Sequence, residues 1–223
     1  MASLALAWPS LCSSEAQRSP MKKLLIFGNS EMARVAHFYF LRDQSRDVAR
    51  FTVDRAYNEG GRLCGLDVVN FEDVVSRFPP SKYEMFIAVG PSKMNGLRQQ
   101  KFREARALGY ELASYISPNA SCDSPVGQNS FIADFAVVNP FAVVGENNFV
   151  FEFAVISNES VVGNNCYISP RATVGTFAKI GDNSFLGTAS VINTRVVVGK
   201  SSLVGAACYI SSHTEQNSAY GQK

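Results

Sequence analysis

From Val126 to Ile210 an aliphatic residue recurs at every sixth position without a break: Val126, Ile132, Val138, Val144, Val150, Ile156, Val162, Ile168, Val174, Ile180, Leu186, Ile192, Val198, Val204 and Ile210. Glycine follows directly in eight of these fifteen hexads, and the residue four places on is nearly always small, from Ser130 and Ala136 to Ser184 and Ser190. Helices repeat at 3.6 residues and strands at 2, so neither explains a strict period of six. A parallel β-helix does, with one short flat run and one bend per hexad. The aliphatic side chain points into a narrow core with the small residue beside it. The glycines are expected in the bends, where φ is often positive. Three hexads close one triangular coil, so residues eighteen apart stack at about 4.8 Å, one strand spacing. Asn158 is then expected above Pro140 and below Thr176. Asp134 is expected below Glu152, with Pro170 and Thr188 above them. The ends of such a stack need covering, and only a few residues follow Ile210.

The first half has a different rhythm. Lys23–Gly28 reads as a buried strand, Glu31–Leu41 as a helix, and Arg50–Asp54 as a strand ending in an acid. Phe71–Phe78 reads as helical up to Pro79-Pro80. Glu84–Val89 reads as a strand, Met94–Leu108 as an amphipathic helix ending at Gly109, and Tyr110–Ile116 as a last strand. Alternating strands and helices predict a small parallel α/β, Rossmann-like sheet, which binds ligands at the carboxyl ends of its strands. Gly28, Asn29 and Ser30, Asp54 and Arg55, and Gly90, Ser92, Lys93 and Asn95 lie at those ends. A full dinucleotide fingerprint is absent, since only Gly28 and Ala33 stand where three glycines are expected. Helix-terminus amides remain suited to a phosphate or a base.

Composition narrows the classes. The formal net charge of +2 argues against nucleic-acid binding by phosphate neutralisation. No apolar run is long enough to cross a membrane. The five cysteines have no metal-site spacing, which fits reduced thiols in a cytoplasmic protein without a bound metal. Residues 1–20 lack the basic start of a signal peptide and read as a disordered extension. The expected organisation is therefore an extension at 1–20, an α/β domain at 21–117, a β-helix at 118–215 and a short tail at 216–223.

An α/β domain leading into such a repeat resembles the bacterial sugar O- and N-acyltransferases related to sialic-acid O-acetyltransferase. These are left-handed parallel β-helix proteins of the hexapeptide-repeat type. Lys23–Gly28, Phe51–Tyr57, Ala88–Arg98 and the hexads carry the resemblance, which spans 21–221. It implies a homotrimer, with acetyl-CoA as co-substrate in the groove between prisms and a nucleotide-linked sugar held by the first domain. Gly187, Thr188, Gly205 and Ala206 are the candidate contacts for the pantetheine arm. The short end, Ser218–Lys223, stops where family members continue into a tail that helps cover the prism.

Family members usually carry a histidine at the third position of a mid-prism hexad, and here that position is Asn158. The two histidines, His37 and His213, lie elsewhere. A sugar hydroxyl normally needs a base to attack a thioester, whereas a neutral amine mainly needs positioning and an oxyanion donor. The departure therefore favours N-acetylation over O-acetylation. Asn158 is expected to position the nucleophile without taking its proton. Glu159 is a candidate base, and the backbone at Gly175–Thr176 the candidate oxyanion donor. The alternative is a catalytically silent trimer that binds nucleotide-sugar or CoA as a sensor or scaffold. Several of Phe149, Phe151 and Phe153, near Phe135, Phe141 and Phe177, are expected to face outward as an interface patch, or alternatively as a wall of the sugar pocket.

Overall fold

The computed structural model describes residues 22–221. Residues 1–21, including Cys12 and the expected extension, and residues 222–223 lie outside the described part. The first half forms β1 (Lys23–Phe27), α1 (Glu31–Arg42), β2 (Val48–Val53), β3 (Arg62–Leu63), β4 (Leu66–Asn70), α2 (Val74–Arg77), β5 (Tyr83–Ile87) and α3 (Gly96–Ala107). The five strands are ordered β3-β4-β2-β1-β5 and are parallel except for the β3–β4 hairpin. That hairpin was not visible in the sequence pattern, because its strands are short and half-exposed. The expected helix at Phe71–Phe78 is a 3-10 turn, Phe71–Asp73, followed by the single turn α2.

The second half is a three-sided prism of two-residue strands forming parallel sheets of seven, six and four strands. Partners lie eighteen apart through the body: Phe149 with Tyr167, Val155 with Thr173, and Val161 with Lys179. Fourteen of the fifteen hexad aliphatics are buried and Val126 partly so; Ser130, Ala136, Cys166 and Ser190 are among the buried small residues beside them. Tyr115–Ile116 pairs with Phe131–Ile132 and so belongs to the prism; the preceding segment runs beside β5, with Leu112 bridged to Met85, whose amide donates to the Glu111 carbonyl and whose carbonyl accepts from the Ala113 amide. At the top, Ala219–Tyr220 adds a strand beside Leu203–Val204, and Tyr220 packs on the prism core.

The hexad glycines are not where the expectation put them. The positive φ values fall two residues later, on Asn129, Phe135, Phe141, Asn147, Phe153, Glu159, Asn165, Arg171, Phe177 and onward, all between 54° and 64°. Glycine is required instead by the neighbouring coil: a Cβ on Gly187 would lie 2.6 Å from the amide nitrogen of Ala206.

These left-handed residues form three corner columns. The first is a ladder of buried asparagines, a residue tolerant of this conformation. Asn129 Nδ2 donates to Asn147 Oδ1 (2.7 Å), and Asn147 Nδ2 to Asn165 Oδ1 (2.8 Å). Its foot docks on β5, where the Ile87 amide donates to Asn129 Oδ1. The second corner carries Asp134–Phe135, Glu152–Phe153, Pro170–Arg171 and Thr188–Ala189. The third carries Pro140–Phe141, Asn158–Glu159, Thr176–Phe177 and Thr194–Arg195.

The α/β domain covers the prism face between the first and second corners. Phe131 and Phe149 enter one apolar core with Leu24, Ile26, Phe40, Phe51 and Phe86. The other sheet face packs on Phe71, Val74, Phe102 and Ala105. This corrects the expected aromatic patch: Phe149 is buried and Phe151 half-buried at the domain junction, and only Phe135 (52%), Phe141 (73%), Phe153 (52%) and Phe177 (44%) are exposed.

Candidate functional site

The carboxyl ends of β1 and β5 open onto a cleft of about 440 Å³ lined by Ser30, Glu31, Met32, Val35, Gly90 and Pro91 from the α/β domain and by Phe151 and Tyr167 from the prism. Ser30 sits at the start of α1 with an extended backbone. Its carbonyl accepts the amides of Ala33 and Arg34, while its hydroxyl makes no capping bond. Gly28 has φ +127°, and a Cβ there would lie 2.7 Å from the Ala88 carbonyl oxygen, so glycine is dictated by the close approach of β1 and β5. Gly90 is different: nothing lies within 4 Å of its Cβ position, so the bare backbone faces open cleft. Asn29 donates to the Tyr57 carbonyl at 3.3 Å, pinning the turn after β2.

Several expected ligand contacts are committed within the protein instead. Asp54 accepts from Lys101 Nζ at 2.6 Å, and Lys101, nearly buried against Phe27 and Phe71, also holds Glu104. Arg55 donates its amide to Glu72 and its guanidinium to Asp73. Asn95 is fully buried: its Nδ2 reaches the carbonyls of Asn183 and Ser184 on the prism, and its Oδ1 accepts from Arg98. Asn95 therefore bolts the domains together and does not face the cleft. Ser92 and Lys93 are exposed. Lys93, Met94 and Asn95 have φ of 50°, 51° and 63°, a run of left-handed residues that L-amino acids rarely adopt in succession. Such strain persists only where the surroundings hold it, and it concentrates at functional sites. Asn95 and Arg98 supply the hold, and Lys93 is exposed two residues after the cleft-lining Pro91.

Arg98 closes the Ala88–Arg98 segment, and the sequence pattern alone assigns it no role. It is completely buried, and its guanidinium donates to the carbonyls of Val89, Asn147, Asn165 and Cys166. Burial lowers its pKa to about 10, which leaves it charged at neutral pH. The same burial pushes the Cys166 thiol up to about 12, so this cysteine is an inert core residue.

On the third corner, far from this chain's own cleft, Asn158 Nδ2 donates to the Pro140 carbonyl at 3.4 Å, and the Phe177 amide donates to the Asn158 carbonyl at 3.3 Å. The stacking Pro140–Asn158–Thr176 is thus as expected. The Gly175 amide is spent on the Ile192 carbonyl, whereas the Thr176 amide has no partner among the described residues. Some corresponding corner amides are capped, Glu146 by Asn164, Asn164 by Asp182 and Thr194 by Asn193, whereas those of Asp134, Glu152, Asn158 and Thr188 are likewise without a partner among the described residues. Glu159 is exposed, and its carboxylate has no partner among the described residues. The amides of Gly187 and Gly205 are consumed by the Val204 and Tyr220 carbonyls, so of the four expected pantetheine contacts Thr188 and Ala206 are those whose amides have no partner among the described residues. His37 packs against Phe51 in α1, where burial lowers its pKa. His213 accepts the Val197 amide at the prism top. Neither approaches the third corner's mid-prism position. Among the described residues no three His, Cys, Asp or Glu side chains converge to hold a metal, and no helix is long and apolar enough to cross a membrane.

Residues 154–194 match the bacterial transferase hexapeptide family, described as six repeats. That segment includes Asn158, Glu159 and Thr176. The whole architecture, α/β domain and prism together, is shared with several solved structures, acetyltransferases among them. The acetyltransferase domain of PglB from Neisseria gonorrhoeae FA1090 superimposes with a TM-score of 0.76 at 23% identity, over 86% of this chain and 93% of that one. A histidine-to-asparagine mutant of perosamine N-acetyltransferase from Caulobacter crescentus, in complex with CoA and GDP-perosamine, gives 0.73 at 22% identity, over 91% and 95%. WeeI from Acinetobacter baumannii AYE gives 0.78 at 18% identity, over 90% and 97%. No curated protein matches the sequence.

Proposed function

We propose that this chain is an acetyl-CoA-dependent acyltransferase that acetylates the amine of a nucleotide-linked amino sugar and works as a homotrimer. The observation that carries the reading is the Thr176 amide, which has no partner among the described residues and stands one rung above Asn158. The likeness to acetyltransferases, one of them holding CoA and GDP-perosamine, supports the substrate class.

In this reading the α/β domain holds the nucleotide, with Ser30, Gly90 and Lys93 nearest the phosphates and Phe151 and Tyr167 walling the sugar. The backbone amides of Thr188 and Ala206 fit the amide oxygens of a pantetheine arm, and acetyl-CoA supplies the acyl thioester. Asn158 Oδ1 accepts a hydrogen bond from the attacking neutral amine and holds it in line. The Thr176 amide stabilises the charge that develops on the thioester oxygen, the type of interaction that dominates acyl transfer. A carbon–nitrogen bond forms and the carbon–sulfur bond breaks. The surplus amine proton passes through solvent to the departing thiolate, because a carboxamide cannot take it.

The third corner and the cleft lie on different sides of one prism. A second copy must therefore bring Asn158 to the cleft, which supports an assembly over a monomer. Release of free thiol from acetyl-CoA in the presence of nucleotide-linked amino sugars tests the proposal. Failure of every amine substrate, with restoration by Asn158→His, would establish the silent-trimer reading instead.

A further inference from the structure

Among the described residues, Glu31 is the one charged side chain that lines the cleft; the rest of the lining is neutral. It opens α1, where a carboxylate suits the helix dipole. Glu31 is exposed, and its carboxylate has neither an ion pair nor a hydrogen bond among the described residues. The nearby acid Glu152 is already engaged, accepting the Tyr39 hydroxyl at 2.9 Å. Arg34, one turn along α1, is exposed and makes no ion pair among the described residues.

The prism side of the cleft is aromatic. Phe151 and Tyr167 are half-buried with ring centroids 4.8 Å apart, and Tyr167 stacks at 5.3 Å on Phe185, one coil above. The Tyr167 hydroxyl has no hydrogen-bond partner among the described residues. Burial raises the Tyr167 pKa; Arg98 opposes the rise, and the carboxylates of Glu152 and Glu31 add to it. Glu31 and this ring therefore share one electrostatic environment. An unpaired carboxylate beside aromatic faces recognises an organic cation. The carboxylate pairs with the charge, and a ring attracts it within about 6 Å of its centroid. A hydroxyl in the same place gains only a hydrogen bond.

A nucleotide-linked amino sugar carries such a cation, because an aliphatic amine is largely an ammonium at neutral pH. We infer that Glu31, with the rings of Phe151 and Tyr167, holds the ammonium of the substrate and selects an amino sugar over the corresponding hydroxyl sugar. This rests on the proposed acyltransferase reading and deepens it. The diphosphate lies a sugar ring away from the amine, so one ligand can meet the exposed Lys93 with one end and Glu31 with the other. The charged and titratable groups about Glu31 are Arg34 and Tyr39 on α1, Glu152 and Tyr167 on the prism, and Lys93 on the loop after β5. Burial holds both phenols above the ordinary tyrosine range, so neither titrates with the amine. The nucleophile is the neutral amine, so Glu31 binds the form that must still lose its proton to solvent before attack. By linkage, a roughly tenfold preference for the ammonium raises the bound amine's pKa by about one unit.

Calorimetry without CoA, at about pH 6 where the amine is charged, tests the pairing apart from catalysis. The probes are GDP-perosamine, the ligand of the Caulobacter crescentus structure, and a UDP-linked amino sugar, each beside its counterpart with a hydroxyl in place of the amine. The wild type should bind one amino sugar roughly tenfold more tightly than its counterpart. Glu31→Gln should lose that preference by weakening the amino sugar alone, and Glu31→Asp, which keeps the charge, should retain most of it. Circular dichroism should show an unchanged fold in both variants. In thiol-release assays the rise of kcat with pH should begin about one unit lower in Glu31→Gln. Equal affinity for amine and hydroxyl, or a preference that survives Glu31→Gln, would overturn the inference and leave the acyltransferase reading standing. A wild type that binds neither pair overturns it together with the nucleotide-sugar reading. An inactive protein that keeps the Glu31-dependent preference removes the activity and leaves this role of Glu31 in place.

Discussion

The guanidinium carbon of Arg98 lies 4.3 Å from the ring centroid of Phe149, one residue from α3 and the other from the third rung of a prism face. Both side chains are buried. Among the described residues no carboxylate pairs with the arginine; carbonyls of the prism and of the loop after β5, with Asn95 Oδ1, accept its hydrogen bonds instead. The two halves of the chain are therefore locked as one body along the edge of the cleft.

Removing this lock should destabilise the protein severely. Arg98→Met would leave several buried carbonyls without donors, each worth about 1–3 kcal/mol. We expect a loss of about 3 kcal/mol or more, measured by urea unfolding. Retention of the wild-type midpoint would contradict the role assigned to Arg98.

The glycines separate into two kinds. Gly187→Ala forces a methyl group against the Ala206 amide nitrogen. Overpacking of this kind costs about 1–3 kcal/mol, so thermal unfolding should shift down by several degrees. Gly90→Ala meets open space and should leave the unfolding temperature nearly unchanged while weakening nucleotide-sugar binding. The reverse order would show that Gly90 is the structural glycine.

Lys93 and Asn95, two residues apart, should behave differently. Lys93→Ala should weaken nucleotide-sugar binding in calorimetry and leave CoA binding and stability nearly unchanged. Asn95→Ala should chiefly lower stability, because it removes contacts to Asn183, Ser184 and Arg98. Equal loss of both ligands with Lys93→Ala would count against placing the nucleotide at this rim.

Acid should loosen the domain junction at α1. Arg42 bonds to Asp134, with Ser117 and Asn119 also donating, and together they lower the Asp134 pKa from 3.8 to about 2. Because the folded value lies below the unfolded one, the stabilisation is complete above pH 4. It is lost as the pH falls from about 4 through 2. Denaturant midpoints should decline across that window, and Asp134→Asn should flatten the decline. An unchanged slope in the variant would show that other carboxylates govern it.

At the third corner, Asn158→Ala should lower turnover of an amino sugar modestly, since positioning is lost but no base. The rate should rise with pH as the substrate amine deprotonates, without an inflection near the unperturbed histidine value of about 6.5. Robust turnover of a sugar hydroxyl, unaffected by Asn158→Ala or Asn158→His, would remove Asn158 from the mechanism.

The hexad repeat determined the prism, its eighteen-residue register and the stacking of Pro140, Asn158 and Thr176, because a repeating coil converts sequence separation directly into height. The alternation of strands and helices likewise determined the α/β domain. The conformation of the corners was misread from glycine content: the close approach of adjacent coils, invisible along one chain, claims glycine two residues before the left-handed position. The Asn129–Asn147–Asn165 spacing was present in the sequence and could have marked that position. Which amides are spent, at Gly175, Gly187 and Gly205, and which are free, at Thr176, Thr188 and Ala206, depends on hydrogen bonds between coils. Tertiary structure alone decided that Phe149 and Arg98 are interior and that Asp54 and Asn95 are engaged. It also decided which prism face is covered, because docking a separate domain on one side of a nearly symmetrical prism breaks a symmetry that the repeat itself preserves.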